Sequence, residues 1–172
     1  SDVCSSDLGE VVKRIKGLEE VGPSGDFTQV GMSAVVLFHN EYDSLRIALG
    51  SWLDRGLVDY VQEIIFFLNG MGNSEKFFRE LPVLLKRIPP EKLRVEAVGQ
   101  NMRLGLAIAR MVKLAKYPYV LLLEKDWALV EEKPVMKTRL DDAKILVGRG
   151  HADVVRFRHR HFPGVPLHAQ IM

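Results

Sequence analysis

Apolar runs alternate with amphipathic segments along most of the chain, and this alternation predicts its secondary structure. The runs MSAVVLF (32–38), VQEIIFFL (61–68) and YVLLL (119–123) predict strands that are buried on both faces of a sheet. The segment KLRVEAV (92–98) alternates at period two, and ADVVRFR (152–158) predicts a fifth strand. Because helical patterns separate these strands, the sequence predicts an α/β fold with a mostly parallel sheet and helices on both faces.

Four helical patterns connect the predicted strands. The first, DSLRIALGSWLDRGL, places four apolar side chains on one face: Leu45, Leu49, Trp52 and Leu53. The second, NSEKFFRELPVLLKRI, contains Pro82, which is expected to kink or split the helix. The third and fourth are RLGLAIARMVKLAK and KPVMKTRLDDAKILVGRG, and the fourth has Pro134 near its start.

The two ends of the chain differ from its middle. The first eight residues, SDVCSSDL, resemble the translation of a sequencing-adapter tail, so we expect residues 1–8 to be an artefact outside the fold. Residues 9–31 are predicted to form an N-terminal helix and a linker, and residues 32–172 the folded domain. Because the last residues, HFPGVPLHAQIM, contain no closing element, we expect a fragment of a longer protein.

Composition and charge exclude several classes of function. The chain has 172 residues, a globular balance of 47% hydrophobic and 27% charged residues, and a net charge of +2. So small a charge predicts no nucleic-acid partner, and without an apolar window of ~20 residues we expect no membrane contact within this chain. Cys4 is the only cysteine and lies in the artefact segment, which excludes a disulfide framework and a cysteine nucleophile.

Polar residues follow four of the predicted strands. They are HNE (39–41), NGMGN (69–73), GQNMRLG (99–105) and EKDW (124–127). In a parallel sheet the ligand lies at the carboxyl ends of the strands, so these four segments are expected to share a polar or anionic ligand. NGMGN has only two glycines of a dinucleotide fingerprint, and a lone His39 is more often a hydrogen-bonding loop residue than a catalytic base.

Glu124 and Asp126 are two residues apart at the end of a strand. If the backbone stays extended, both carboxylates project from the same face and can share Mg²⁺ or Mn²⁺ with substrate phosphates. The alternative is a pair of solvated charges at a strand end. On an extended backbone Lys125 should point to the opposite side, where it only makes the loop more soluble. Arg103, at the start of the third helix, either reaches a diphosphate or is a surface arginine on a packed helix.

Taken together, the segments VVLFHNE, EIIFFLNG, RLGLAIAR and YVLLLEKDW resemble the nucleotide-binding half of GT-A fold glycosyltransferases, most closely family 2. The resemblance covers about residues 32–160. The family's helix motif R-x-G-L-x-x-A-R is matched by Arg103, Gly105, Leu106, Ala109 and Arg110. It implies a truncated GT-A (Rossmann-like) nucleotide-diphospho-sugar transferase fold, with residues 32–172 as a partial glycosyltransferase catalytic domain.

The resemblance also implies a function. A sugar would pass from a nucleotide-diphosphate sugar to an acceptor hydroxyl, with Asp126 and Glu124 holding Mn²⁺ or Mg²⁺. The residues implied in donor binding are His39, Asn40, Glu41, Asn69, Gly70, Arg103 and Glu124. The family's catalytic base lies beyond the fifth strand, in a part that we expect this chain to lack, so only the donor-binding half is expected and no catalytic residue is assigned.

Two positions depart from the family, and other interpretations stay open. Leu68 stands where a base-reading aspartate is frequent, and Glu124 replaces the first aspartate of the Asp-x-Asp signature. A sugar-1-phosphate nucleotidyltransferase has the same sheet, but a glycine-rich basic loop should follow its first strand. A non-catalytic binding or scaffold module with a decayed metal site is the other alternative. The sequence is compatible with a cytoplasmic enzyme and with a Golgi-lumen domain that has an upstream anchor.

Overall fold

The computed structural model describes residues 18–22 and 24–157 and contains a four-stranded parallel sheet. The strands are β1 (Met32–Phe38), β2 (Glu63–Asn69), β3 (Leu93–Val98) and β4 (Tyr119–Glu124). Their order in the sheet is β3-β2-β1-β4, and all three pairings are parallel. This arrangement confirms the predicted α/β fold and places all four strand ends at one edge, called here the carboxyl edge.

Helices connect the strands as the sequence predicts. A 3-10 turn (Phe27–Gln29) precedes the sheet, and the helices are α1 (Tyr42–Asp54), α2 (Leu57–Tyr60), α3 (Glu75–Glu80), α4 (Pro82–Leu85), α5 (Leu104–Leu114) and α6 (Lys133–Gly148). The second predicted helix is split into α3 and α4 at Pro82, as expected for a residue that has no N–H to donate. No helix in the described ranges is both long and apolar enough to cross a membrane.

The two faces of the sheet pack against different helices. On one face, side chains of α1, α3, α4 and α6 cover the strands, and the ring of Phe77 packs against the rings of Phe38 and Phe66 at centroid distances of 5.6 and 5.1 Å. On the other face, α5 lays Ala107 and Met111 over Val35, Ile65 and Phe67. Burial of this apolar surface is the main favourable contribution to folding.

The predicted apolar face of α1 is found in the structure. Leu45, Leu49 and Trp52 are buried, together with Ala48, whereas Leu53 is half-buried. The face has the width expected of a helix that covers a sheet on one side.

The predicted fifth strand is wrong for the residues that the structure describes. Residues 151–157 contain no strand, and Val154 is 82% exposed. After α6 the chain turns at Gly150, and the N–H groups of His151 and Ala152 both donate to the carbonyl of Leu146. A strand needs a neighbour to pair with, and this segment has none in the described part of the chain. Residues 1–17 and 158–172, including the artefact segment and most of the predicted N-terminal helix, lie outside the described residues.

Buried polar groups close the amino edge of the sheet, opposite the carboxyl edge. The carboxylate of Glu63 accepts hydrogen bonds from the hydroxyl of Ser33 and the backbone N–H of Lys116, both at 2.6 Å. The hydroxyl of Tyr119 donates to the carbonyl of Lys144 at 2.7 Å, and burial raises the pKa of Tyr119 to about 12. These contacts bind the start of β4 and the middle of α6 to the sheet.

Candidate functional site

The strand order creates a topological switch point between β1 and β4. From β1 the chain proceeds outward to β2 and β3 on one side, and β4 then pairs with β1 on the other side. In open α/β sheets ligands bind at such a point, outside the carboxyl ends of the strands, and the position between the loops that follow β1 and β4 is called here the crevice. Leu37 pairs with Glu124 in the ladder. The β1 loop (residues 39–41) and the β4 turn (residues 124–127) consequently flank the crevice.

One ion pair joins the two sides of this crevice. The ammonium of Lys125 lies 2.9 Å from the carboxylate of Glu41, and their side chains are 23% and 58% exposed. The hydrogen bond to Glu41 and the charges of Asp126, Glu41 and Glu124 raise the pKa of Lys125, against the opposing effect of burial. The sequence analysis expected Lys125 to point away from the site. This expectation was wrong, because the side chain reaches the loop that follows the neighbouring strand.

The chain does not stay extended after β4. The N–H of Trp127 donates to the carbonyl of Glu124 at 3.1 Å, which closes a turn over Lys125 and Asp126. The same-face placement of Glu124 and Asp126 assumed an extended backbone, and the turn removes that assumption. Both residues are exposed, and neither carboxylate makes a hydrogen bond or ion pair within the described ranges.

The side chains around the crevice do not by themselves fit a divalent cation. No group of three or more His, Cys, Asp or Glu residues in the described part of the chain could hold a metal. Lys125 also places a positive charge near Glu124 and Asp126, and this charge opposes a second cation there. Mn²⁺ or Mg²⁺ at Asp126 and Glu124 therefore stays a prediction from the resemblance.

Asn69, at the end of β2, holds the loop that precedes α5. Its side chain is buried, donates to the side chain of Asn101 and the carbonyl of Met102, and accepts from the N–H of Met102, at 2.8 to 2.9 Å. The next residue, Gly70, has φ +77°, and a Cβ there would lie 2.9 Å from the Cβ of Asn101. Glycine is required by both the conformation and the close approach. Asn69 and Gly70 thus position the β3 loop (residues 99–103), and the Asn69 amide is already fully hydrogen-bonded.

The β1 loop is also held by hydrogen bonds. The imidazole Nδ1 of His39 lies 2.6 Å from the carbonyl of Asn69, and because a carbonyl only accepts, Nδ1 carries the proton. His39 is therefore the hydrogen-bonding loop residue that the sequence analysis favoured. Asn40 adopts a left-handed conformation with φ +55°, which asparagine tolerates, and its side-chain oxygen accepts from Lys76 at 3.4 Å.

The matched positions of the helix motif do not pack closely against the sheet, although Ala107, which lies between them, does. Arg103 precedes the first turn of α5 and is exposed at the carboxyl edge. Ala107 is fully buried against the sheet, but Ala109 is exposed, and a Cβ on Gly105 would meet nothing within 4 Å. Close approach of helix and sheet therefore explains Ala107 alone. Leu68, where a base-reading aspartate is frequent in the resembled family, is fully buried in the core.

A segment that follows the β4 turn lies along α1, and sequence reasoning did not anticipate it. This segment, residues 127–132, is called here the strap. The indole N–H of Trp52 donates to the carbonyl of Trp127, and the N–H of Leu129 donates to the hydroxyl of Ser51, both at 2.8 Å. Arg55 forms an ion pair with Glu132 at the far end. A shallow open groove between α1 and the strap has a volume of about 600 Å³ but lies beside the helix, not at the crevice.

The sequence shows the two opposite charges of the Lys125–Glu41 pair, but residue types alone do not show that these charges meet. Opposite charges follow two strands, and the pair can form only if those strands are neighbours. The strand order β3-β2-β1-β4 makes them neighbours. Spacing along the chain cannot show this, because Glu41 and Lys125 are 84 positions apart in the sequence.

Comparisons with known proteins agree with the fold. No protein-family model and no curated protein matches the sequence. The crystal structure of S. aureus TarS 1-349 matches at 18% identity with a TM-score of 0.53, over 79% of this chain and 38% of that chain. A crystal structure of S. aureus TarS matches at 18% identity and a TM-score of 0.54, over 80% of this chain and 23% of that one.

TarS is a glycosyltransferase, so the chain has an α/β fold that matches glycosyltransferase structures. At 18% identity the likeness shows the fold alone. The chain spans 38% and 23% of the two TarS chains, so the activity of a whole enzyme is not carried over by the match. Membership of family 2 stays a prediction.

Proposed function

We propose that the chain is the donor-binding half of a glycosyltransferase, which transfers a sugar from a nucleotide-diphosphate sugar to an acceptor hydroxyl. The observation that carries this proposal is the topological switch point between β1 and β4, in a sheet that matches glycosyltransferase structures. A ligand at the switch point of an open α/β sheet contacts the loops that follow the flanking strands.

The proposed donor site has two parts, one for the diphosphate and one for the nucleoside. The diphosphate lies at the crevice, near Lys125 of the β4 turn and Arg103 at the start of α5. The nucleoside lies toward the β1 loop and the end of β2. Asn69 and Gly70 act through the backbone there, because the Asn69 amide is fully used in holding the β3 loop.

The reaction proposed for the whole enzyme forms a bond from the acceptor oxygen to the anomeric carbon and breaks the bond from that carbon to the diphosphate. The proton of the acceptor hydroxyl passes to a general base. In our proposal this base lies outside the described residues, so the described part binds the donor and does not act as the base.

A thermal melt against a panel of ligands tests the proposal. The panel is UDP, GDP, ADP and CDP with their common sugar conjugates, each with and without Mn²⁺. One nucleoside diphosphate and its sugar should raise the melting temperature, because a ligand that binds only the folded state stabilises it. A cooperative melt that no nucleotide shifts, with or without Mn²⁺, would contradict donor binding and favour a non-catalytic scaffold.

A second set of melts separates the proposal from a sugar-1-phosphate nucleotidyltransferase. Such an enzyme binds a nucleoside triphosphate and a sugar 1-phosphate as its two substrates. The donor-binding proposal expects the nucleotide-diphosphate sugar to shift the melt, and the corresponding sugar 1-phosphate alone to leave it unchanged. A shift with the sugar 1-phosphate or with the nucleoside triphosphate would support the nucleotidyltransferase, whose product is the nucleotide-diphosphate sugar itself.

A further inference from the structure

The crevice contains its own cation. Lys125 extends from the β4 turn to Glu41 in the β1 loop at 2.9 Å, and no other ion pair joins the two sides of the crevice in the described ranges. The side chain of Lys125 is half-buried, and the turn closed by Trp127 and Glu124 holds its backbone. Lys125 therefore links the β4 turn to the β1 loop across the crevice.

The charges around Lys125 are unevenly balanced. Glu41, Glu124 and Asp126 all act on its ammonium, and the last two have no ion-pair partner in the part of the chain that the structure describes. An added diphosphate would bring further negative charge into the same space. Like charges about 4 Å apart repel by about 1 kcal/mol in water and by several in a less polar site, so a diphosphate bound beside these carboxylates needs a positively charged partner.

Lysine is chemically suited to this task. Its ammonium has three donors and no acceptor, and it binds phosphate oxygens as a compact point charge. The Lys125–Glu41 pair is partly exposed, and pairs of this kind contribute only about 0.2 to 1 kcal/mol. A phosphate oxygen can therefore replace Glu41 as the partner of Lys125 at small cost.

We propose that Lys125 is the counter-ion of the donor diphosphate, exchanging Glu41 for a phosphate oxygen, and that the diphosphate binds without a divalent metal. This inference rests on the proposed function and deepens it, since it names the group that holds the diphosphate. It replaces the metal that the resemblance implies by a residue of the chain itself. Glu41 then acts as a competitor that holds Lys125 in the crevice until the donor arrives.

Titration calorimetry of the 172-residue chain with EDTA present tests the inference. The ligands are the nucleoside diphosphate that most raises the melting temperature and the monophosphate of the same nucleoside. Lys125→Gln should weaken diphosphate binding by about 10- to 100-fold, as for the loss of a hydrogen bond to a charged group, and should abolish the preference for diphosphate over monophosphate. Lys125→Arg should keep most of both.

The partner residue gives a prediction of opposite sign. Glu41→Gln releases Lys125 from its competitor, so diphosphate binding should tighten by up to about fivefold. Lys86→Gln is the matched control, because it removes the same charge from an exposed residue at the end of α4. Its effect should stay within about twofold, which separates a local contact from a change in net charge.

Each outcome has a distinct meaning. Tight binding in EDTA, lost in Lys125→Gln and strengthened in Glu41→Gln, supports the inference. Binding that requires Mn²⁺, or that Lys125→Gln leaves unchanged, overturns the inference while the proposed donor site stands. No binding of any nucleotide, with or without Mn²⁺, overturns the proposed function and the inference with it.

Discussion

At the scale of single residues, Asn69 shows how a polar group can specify the geometry of a site without contacting a ligand. Its amide is buried and makes three hydrogen bonds to the β3 loop. A buried amide that is fully paired fixes the position of what it binds, and its removal leaves backbone groups without partners. Asn69 therefore helps to set the position of Arg103, which precedes α5.

Asn69→Ala should lower the free energy of unfolding by about 2 to 4 kcal/mol, because it leaves the N–H and carbonyl of Met102 unpaired in a buried site. Asn101→Ala is the control, since it removes only one of the three bonds from an exposed residue and should cost under about 1 kcal/mol. Urea unfolding measures both. Equal losses for the two variants would contradict the role given to Asn69.

Tyr119 predicts a loss of stability in alkali. Burial raises its pKa to about 12 in the folded chain, against about 10 when unfolded. The stability that its neutral form confers is therefore fully present below pH 10 and is lost as the pH rises through about 12. Two pH units at about 1.4 kcal/mol each give a loss of roughly 3 kcal/mol. Burial and the hydrogen bond to Asp141 also raise the pKa of Tyr60, which adds to the loss.

Lys144 acts in the opposite direction, because burial lowers its pKa, and its contribution to stability rises with pH until about 10.5. Above that value the contribution of Lys144 no longer changes with pH. Urea unfolding at pH 10.5 and pH 12 should show a smaller alkaline loss for Tyr119→Phe than for wild type. The same alkaline loss in both would show that Tyr119 does not ionise with the expected pKa.

At the scale of elements, the strap connects the candidate site to the core. It leaves the β4 turn at Trp127 and is held along α1 by Trp52, Ser51 and Arg55. Two of these contacts are hydrogen bonds: Trp52, which donates one, is buried in the core, and Ser51, which accepts the other, is half-buried. The position of the β4 turn, and with it Lys125, therefore depends on the packing of α1.

Ser51→Ala should accelerate amide exchange at Leu129 by roughly tenfold, because the hydroxyl that accepts this N–H is lost. Exchange along the middle of α1 should stay unchanged. Ser44→Ala is the matched control, because Ser44 is another serine of α1 and is not the one that accepts the hydrogen bond from Leu129. Amide exchange followed by NMR gives both rates, and an unchanged rate at Leu129 would mean that the strap is held without this bond.

Several elements were predictable because their signals are local. Apolar runs predicted β1, β2 and β4, a period-two alternation predicted β3, and Pro82 predicted the split between α3 and α4. The fifth strand failed because strand formation depends on a neighbour, which residues 151–157 do not have within the described ranges. The sequence did not predict the turn after β4, because a single backbone hydrogen bond closes it, from the N–H of Trp127 to the carbonyl of Glu124.

The candidate site was predictable in its place but not in its contacts. The rule that ligands bind at strand ends located the β1 loop and the β4 turn correctly at one edge of the sheet. The partners of Lys125 and Asn69 depend on strand order and on loop conformation. These are properties of the folded chain, and residue spacing does not contain them.

At the scale of the whole molecule, the two edges of the sheet differ in structure and in proposed role. The amino edge is closed by buried contacts such as those of Glu63 and Tyr119. The carboxyl edge has exposed carboxylates, a cation in the crevice and loops held from beneath. The carboxyl edge therefore has, beside the buried Asn69, exposed polar groups that can change partners.

Hydrogen–deuterium exchange with a nucleoside diphosphate tests this division most directly. The ligand is the nucleoside diphosphate with the largest effect in the melts, at saturating concentration. We predict that the ligand slows exchange in residues 39–41, 99–103 and 124–127 and leaves exchange around Glu63 and Tyr119, at the amino edge, unchanged. Protection confined to the amino edge or to the groove between α1 and the strap would contradict a donor site at the switch point.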